Sequence, residues 1–348
     1  MITIADYIGF CNLKGDPIGH PVKVINETVD LLKSFSTVAI AASKKQIDII
    51  TEQKKNLPFT ELEYSICAFS TNKIECFLHK WKNLDRIFST TNGKVWFVSV
   101  DFCLFLYLFL HKKRRVRSII SLCYNPFLDL NVYRHRIVYD VLRNVHLIVA
   151  TNANLLSVIP GNVLFVPDYY YSDSIYSAYQ NEYKCDQIVC LGTMGETKKL
   201  EDLVKAFSRE KNKLKIMGDF SQYKDRYTSL LAMKTDNINI IDKRVDNEEY
   251  YRTIAESKYV VLPYDMKLYD ERTSGILLET IFLHSVPIAP KKLLEYNGIN
   301  GLGYEDIFDI PKYLGNAELE KEIVKQNNRL VESVFSVDSI CEKIQMKL

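Results

Sequence analysis

The chain has 348 residues, long for one hydrophobic core and suited to two domains of common size. Hydrophobic residues at 47% and charged residues at 25% are ordinary for a soluble globular protein, and a net charge of +2 excludes a polyanionic partner such as nucleic acid. The eight cysteines are scattered, several inside apolar runs such as Ile188-Val189-Cys190-Leu191, and none forms a C-x-x-C pair, so they read as reduced core residues of a cytoplasmic protein and not as metal ligands. The amino-terminal MITIADYIGF has no basic region followed by an apolar core, so no signal peptide is expected. Asn26-Glu27-Thr28 fits the glycosylation pattern, which without export carries no meaning.

Residues 4–11 read as the first strand. The glycine-bearing loop 12–20 then leads into a helix over 21–35, with Pro21 at a permitted first-turn position. Further strands are expected at 37–42, 94–100, 117–122 and 145–151, with helical patterns between them. Such alternation means a parallel, doubly wound sheet, a Rossmann-like domain. Asp101 stands at the carboxyl end of the strand closing at Val100 and is a polar candidate by position, as is Cys123-Tyr124-Asn125 after the next strand. The apolar segment 102–110 is too short to cross a bilayer, which takes about 20 residues. With the basic run 111–117 it fits either a peripheral contact with an anionic membrane or a buried helix closed by a solvated charge run. After a strand at 163–166, the segment 168–183 breaks the periodicity and marks the domain boundary. The division is 1–170, then 171–324, with an amphipathic final stretch whose end, about 325–348, follows the second domain.

The second half opens on a strand at 187–191, and the turn Gly192-Thr193-Met194-Gly195-Glu196-Thr197-Lys198 precedes a helix over 200–207. A lysine at a helix start opposes the helix dipole unless an anion is near, which singles out Lys198. Strands at 214–217 and 238–241 follow, then a helix over 246–257 begun by an Asp246 cap with acidic first-turn residues. The stretch 258–290 reads as strand, loop, helix, strand. Its loop lies at the carboxyl end of a parallel strand, and the helix begins at Ser274-Gly275, so phosphate is the natural ligand of the helix N–H groups. Thr273 and Ser274 supply hydroxyls, Gly275 lacks a Cβ, and Ile276 continues the first turn. Glu279, about one turn on, can reach a hydroxyl of the molecule carrying the phosphate, and Glu271 in the loop can face its other end.

The segment DERTSGILLETIFLHSVPIAP resembles the donor site of retaining glycosyltransferases of the GT-B fold, the large family-four type. Two glutamates separated by seven residues, here Glu271 and Glu279, precede a Val-Pro strand, here Val286-Pro287. The likeness runs over about 187–305 and is architectural before that. Two departures stand out. Gly275 falls four places after Glu271 where the family has three, which leaves open whether Asp270 or Glu271 meets the sugar. Thr193 occupies the position of an arginine that shares the donor diphosphate with a lysine, whose place Lys198 takes; Lys199, Arg244 or Arg272 are the possible substitutes.

The resemblance implies two Rossmann-like domains facing a cleft, with the final helix crossing back onto the first. It implies a retaining, metal-independent glycosyltransferase with no cofactor, moving a sugar from a nucleoside-diphosphate donor, UDP ahead of GDP, to a hydroxyl of a glycan or lipid-linked glycan in polysaccharide biosynthesis. Glu279 would hold the ribose and Glu271 the sugar. Loop 15–20 would lie on the acceptor side, with His20 acting on a hydroxyl unless it is a plain turn. A membrane-linked acceptor would place the protein on the inner face of the plasma membrane. The rivals are a nucleotide-sugar epimerase on the same scaffold and a non-catalytic binding protein with a degenerate donor site. A dinucleotide oxidoreductase is weak, since no G-x-G-x-x-G follows the first strand.

Overall fold

The computed structural model describes every residue except 18–20, 55, 129, 181, 244 and 269–273 and the side chains at 53 and 174. The chain divides into two compact units, Met1–Asp168 with Ile340–Leu348, and Tyr169–Ser339.

Among the described residues the first unit holds nine strands: β1 (Ile2–Ala5), β2 (Phe10–Cys11), β3 (Val38–Ser43), β4 (Phe59–Leu62), β5 (Ile66–Cys67), β6 (Lys94–Phe97), β7 (Ser118–Leu122), β8 (Leu147–Ala150) and β9 (Val163–Phe165). Seven form one parallel sheet in the order β4-β3-β1-β6-β7-β8-β9, while β2 and β5 pair separately. The expected single strand over 4–11 is two strands in different sheets. The cause is Asp6, buried at the end of β1, whose carboxylate accepts the N–H groups of Ile8 and Gly9, both at 3.2 Å, and turns the chain away. Strand β4 escapes the apolar pattern because it is an edge strand with only Leu62 fully buried.

The segment Phe102–Leu110 is a core helix of this unit, with Leu104, Phe105, Tyr107 and Leu108 buried. The basic run after it pins the unit together. Arg115 is buried, pairs with Asp140 at 2.8 Å and donates to the carbonyls of Leu108 and Phe109, closing the helix end. Arg114 pairs with Asp85 at 3.1 Å and lies over the Phe88 and Tyr107 rings, and Arg117 donates to the carbonyls of Thr91 and Gly93. Of the two readings of 102–117, these contacts are those of the buried helix. Among the described residues no helix is long and apolar enough to cross a membrane.

The second unit is a six-stranded parallel sheet of β10 (Cys185–Leu191), β11 (Leu214–Gly218), β12 (Ile238–Asp242), β13 (Ser257–Val261), β14 (Val286–Pro290) and β15 (Leu302–Tyr304), counted among the described residues. The order is β12-β11-β10-β13-β14-β15, the doubly wound arrangement in which the direction of winding reverses between the first strand and the fourth. That reversal, between β10 and β13, opens a crevice at the carboxyl ends of those two strands. Helices Leu200–Phe207 and Asn247–Glu256 form where the apolar periodicity and the Asp246 cap place them, Asp246 accepting the Glu249 N–H at 2.8 Å.

Candidate functional site

The crevice at the β10/β13 reversal gathers the residues singled out in the second half. Strand β10 ends at Leu191, and Gly192 turns the chain with φ +95°, a left-handed conformation that glycine adopts without strain. A Cβ there would stand 2.7 Å from Ile276 Cδ1 and 3.4 Å from Lys198 Nζ. The glycine loop, the lysine and the first turn of helix Gly275–Phe282 therefore meet at one point.

Lys198 is 4% exposed. Its Nζ donates to the Leu191 carbonyl and lies 5.8 Å from the centre of the Tyr264 ring. Among the described residues no carboxylate pairs with it, and burial holds its pKa below the ordinary lysine value, with Arg226 adding to the effect. A buried cation without a counter-charge is costly unless an anion joins it. The loop carrying it is stitched to the segment after β13: Lys199 N–H donates to the Pro263 carbonyl at 2.6 Å and Asp265 N–H to the Thr197 carbonyl at 2.8 Å.

Arg226, which no local pattern in the sequence marks, holds the loop from the other side. It forms a two-pronged pair with Glu201, 2.6 Å on each prong, and donates to the carbonyls of Met194 at 3.1 Å, Gly195, and Lys198 at 2.5 Å. The fork of a guanidinium is what lets one side chain meet so many acceptors. Thr193 is exposed, and the Arg226 donors are occupied by Glu201 and the loop carbonyls, so Arg226 holds the loop and does not take the place of an arginine at position 193. Lys199, one of the expected substitutes, is half-exposed and stands 3.8 Å from Asp265.

Ser274 caps the helix Gly275–Phe282. Its hydroxyl accepts the Leu277 N–H at 3.4 Å and lies 3.3 Å from the Tyr264 hydroxyl. The N–H groups of Gly275 and Ile276 precede the first intrahelical bond, and among the described residues no acceptor meets them. Gly275 has a use that the sequence did not reveal. A Cβ on it would lie 2.5 Å from Tyr169 Cζ and 2.8 Å from the Tyr169 hydroxyl, so the glycine admits this ring against the helix end. An anion on these N–H groups shares its space with the Tyr169 phenol.

Glu279 is buried one turn further on, and its carboxylate accepts the Tyr250 hydroxyl at 2.6 Å. Burial, then the Glu279 charge, pushes the Tyr250 pKa well above the ordinary tyrosine value. Tyr250 was not evident from the sequence, since nothing in the helix Asn247–Glu256 distinguishes it from neighbouring Tyr251.

Glu271, Thr273, Arg244 and His20, with Asp270 and Arg272, lie outside the described residues. Asp101, in the first unit, is the N-cap of Phe102–Leu110. Its carboxylate accepts the Cys103 N–H at 2.9 Å and the Leu104 N–H at 3.4 Å, the Tyr7 hydroxyl at 2.5 Å, and pairs with Lys80 at 2.7 Å. Asp101, a polar candidate by position, is thus held by Tyr7, Lys80 and the first N–H groups of its helix.

No protein-family model matches the chain, and no curated protein matches its sequence. Solved structures do resemble it. The Anabaena HepE structure, in complex with UDP, has TM-score 0.63 and 11% identity over 99% of this chain and 98% of its own. A Burkholderia xenovorans trehalose-phosphate synthase (UDP-forming) in complex with glucose-6-phosphate has TM-score 0.64 and 11% identity over 99% of each chain. The E. coli trehalose-6-phosphate structure bound with UDP-2-fluoro glucose has TM-score 0.65 and 10% identity over 99% of this chain and 98% of that one. With this agreement over nearly the whole length, the chain has the GT-B fold, two Rossmann-like units of parallel sheet.

Proposed function

We propose that this protein is a glycosyltransferase that moves a sugar from a nucleoside-diphosphate donor to a hydroxyl acceptor. The observation that carries the reading is the convergence, at the β10/β13 reversal, of the Gly192 turn, the buried Lys198, with which no carboxylate among the described residues pairs, and the N–H groups of Gly275 and Ile276, which no acceptor among the described residues meets. A diphosphate supplies the negative charge that all three lack. The likeness to structures that hold UDP or UDP-2-fluoro glucose supports a nucleotide-sugar donor; UDP ahead of GDP is kept as the expectation from the sequence.

In the proposed reaction the departing diphosphate is stabilised by Lys198 and the helix N–H groups, charge that is in place before the bond breaks. Glu279, oriented by Tyr250, holds the ribose. Glu271, by its sequence position, contacts the sugar, and retention of anomeric configuration follows from the family resemblance. His20 and Arg244 keep their roles as expectations from the sequence, on the acceptor side and at the diphosphate. The acceptor is proposed to be a glycan or other sugar hydroxyl. A membrane-linked acceptor is not part of the proposal, because Leu104, Phe105, Tyr107 and Leu108 of the segment Phe102–Leu110 are buried in the core. A second reading, a binding protein that holds a nucleotide without turning it over, draws on the Tyr169 ring at Gly275 and the exposed Thr193.

The test is a donor screen with UDP- and GDP-sugars against a panel of saccharide acceptors, reading free nucleoside diphosphate. Release that depends on an added acceptor is the expected result. Turnover without an acceptor points to an epimerase or hydrolase, nucleotide binding without turnover to the binding protein, and no nucleotide binding at all overturns the proposal.

A further inference from the structure

A separate cavity of the second unit, of about 550 Å³, lies at the far end of the helix Gly275–Phe282. Eight residues at 1.5 Å rise set it ~12 Å from the candidate donor site. Its volume is that of a small-molecule site. Apolar walls come from Phe282, Val331 and the Tyr171 ring; the polar groups include Asp173, Gln180, His284, Asn328, Glu332 and Asp338. The first and last segments of the unit form one side, joined where the Tyr171 N–H donates to the Phe335 carbonyl at 2.8 Å.

His284 is the unusual member. It follows the helix C-cap with φ +57°, and the bonds from His284 N–H to the Ile281 carbonyl and from Ser285 N–H to the Thr280 carbonyl complete a Schellman turn. Glycine is the residue that suits this position. A histidine bears left-handed strain there, and what it contributes in return is an imidazole in the cavity lining. Nδ1 bonds Asn328 Oδ1 at 2.7 Å, which leaves Nε2 and the Asn328 amide nitrogen for a ligand. The turn Val331–Phe335, which supplies Val331 and Glu332, is π-helical, a rare form that recurs at functional sites.

We propose that this cavity binds an uncharged, polyhydroxylated ligand, a mono- or disaccharide unit, independently of the nucleotide site. Three carboxylates repel phosphates, so a nucleotide or sugar phosphate does not fit. The lining offers acceptors in Asp173, Glu332 and Asp338 and a donor in the Asn328 amide, which suits hydroxyls that both give and accept, whereas an ammonium group would use the acceptors alone. The partly exposed Tyr171 ring matches the apolar face of a sugar ring.

The experiment is ligand-observed NMR and calorimetry on the full chain with glucose, galactose, N-acetylglucosamine, maltose and cellobiose, and with spermidine and glucose 6-phosphate as contrasts. At least one neutral saccharide binds the unaltered protein. His284→Gly, which suits the turn and so keeps the fold, and Glu332→Ala, at an exposed position, each weaken it by about tenfold or more, while UDP binding stays as it was. Saccharide binding lost together with UDP binding in His284→Gly, unaltered saccharide affinity in both variants, binding of spermidine or glucose 6-phosphate but of no neutral sugar, or no binding of any probe overturns the proposal. Loss of UDP binding in Lys198 variants with saccharide binding intact separates this site from the donor site.

Discussion

Lys198→Met separates a residue kept for a ligand from one kept for the fold. In the free protein the ammonium is buried, bonded to one carbonyl and set against the Tyr264 ring, with Arg226 nearby. Desolvation costs several kcal/mol, of which the charged hydrogen bond returns ~1.5–3 kcal/mol and the ring ~0.5–2 kcal/mol. Methionine keeps the apolar stem and omits the charge, so the free variant is expected to match the unaltered protein or exceed it by up to ~2 kcal/mol. Nucleotide binding moves the other way. One charge-assisted bond to the diphosphate is worth ~1.5–3 kcal/mol, a loss of ~10–150-fold in affinity. At a UDP concentration 100 times the dissociation constant the unaltered protein gains ~2.7 kcal/mol, and a ~30-fold weaker variant gains ~0.9 kcal/mol at the same concentration. Thermal unfolding with and without UDP reads both quantities, at ~2–4 °C per kcal/mol for a domain of this size.

The same residue predicts a pH dependence. Its folded-state pKa lies below the unfolded value, so the folded state carries the buried charge at low pH and gains stability as pH rises between the two values. The variant should lack that alkaline gain, and bound UDP should suppress it in the unaltered protein. A free variant destabilised by several kcal/mol, or one that binds UDP normally, refutes the reasoning.

Three further outcomes are expected. Glu279→Gln keeps an acceptor for the Tyr250 hydroxyl and removes the charge, so UDP affinity falls about tenfold with the fold intact; unchanged affinity in calorimetry would remove Glu279 from the donor site. Gly275→Ala drives a Cβ to within 2.5 Å of Tyr169 Cζ and costs ~1–3 kcal/mol of stability, much of it recovered in the Gly275→Ala, Tyr169→Ala double variant; additive effects in denaturant unfolding contradict the contact. Arg226→Lys gives up the fork that meets Glu201 and the loop carbonyls, destabilising the second unit by ~2–3 kcal/mol and speeding hydrogen exchange over 193–199, and unaltered exchange there would show that the loop stands without it.

Local pattern was most informative where the chain repeats strand and helix with buried apolar faces. Strands β10 to β14 and the helices Leu200–Phe207 and Asn247–Glu256 stand within a residue or two of their expected places, because a parallel strand buried on both faces must be continuously apolar and a capped helix shows its start. The pattern was least informative at edges and turns. Strand β4 shows little apolar pattern because it is an edge strand with Phe59 exposed and only Leu62 fully buried, and the break after β1 depends on the Asp6 carboxylate, whose partners a sequence does not display. The segment 102–117 supported two readings because an apolar run beside basic residues looks the same whether its partners are lipids or the carboxylates of Asp85 and Asp140.

By itself the sequence determined the class of fold, two doubly wound parallel sheets, and the candidates Gly192, Lys198, Ser274, Gly275 and Glu279, since periodicity, caps and motif spacing are local properties. Tertiary structure decided which of them meet. Only the strand order places the end of β10 beside the end of β13, and so brings Lys198 to the helix that begins 77 residues later in the chain. It also supplied what spacing cannot encode: Arg226 under the loop, Tyr250 on Glu279 and Tyr169 against Gly275, contacts made by side chains that converge only once the sheet is assembled.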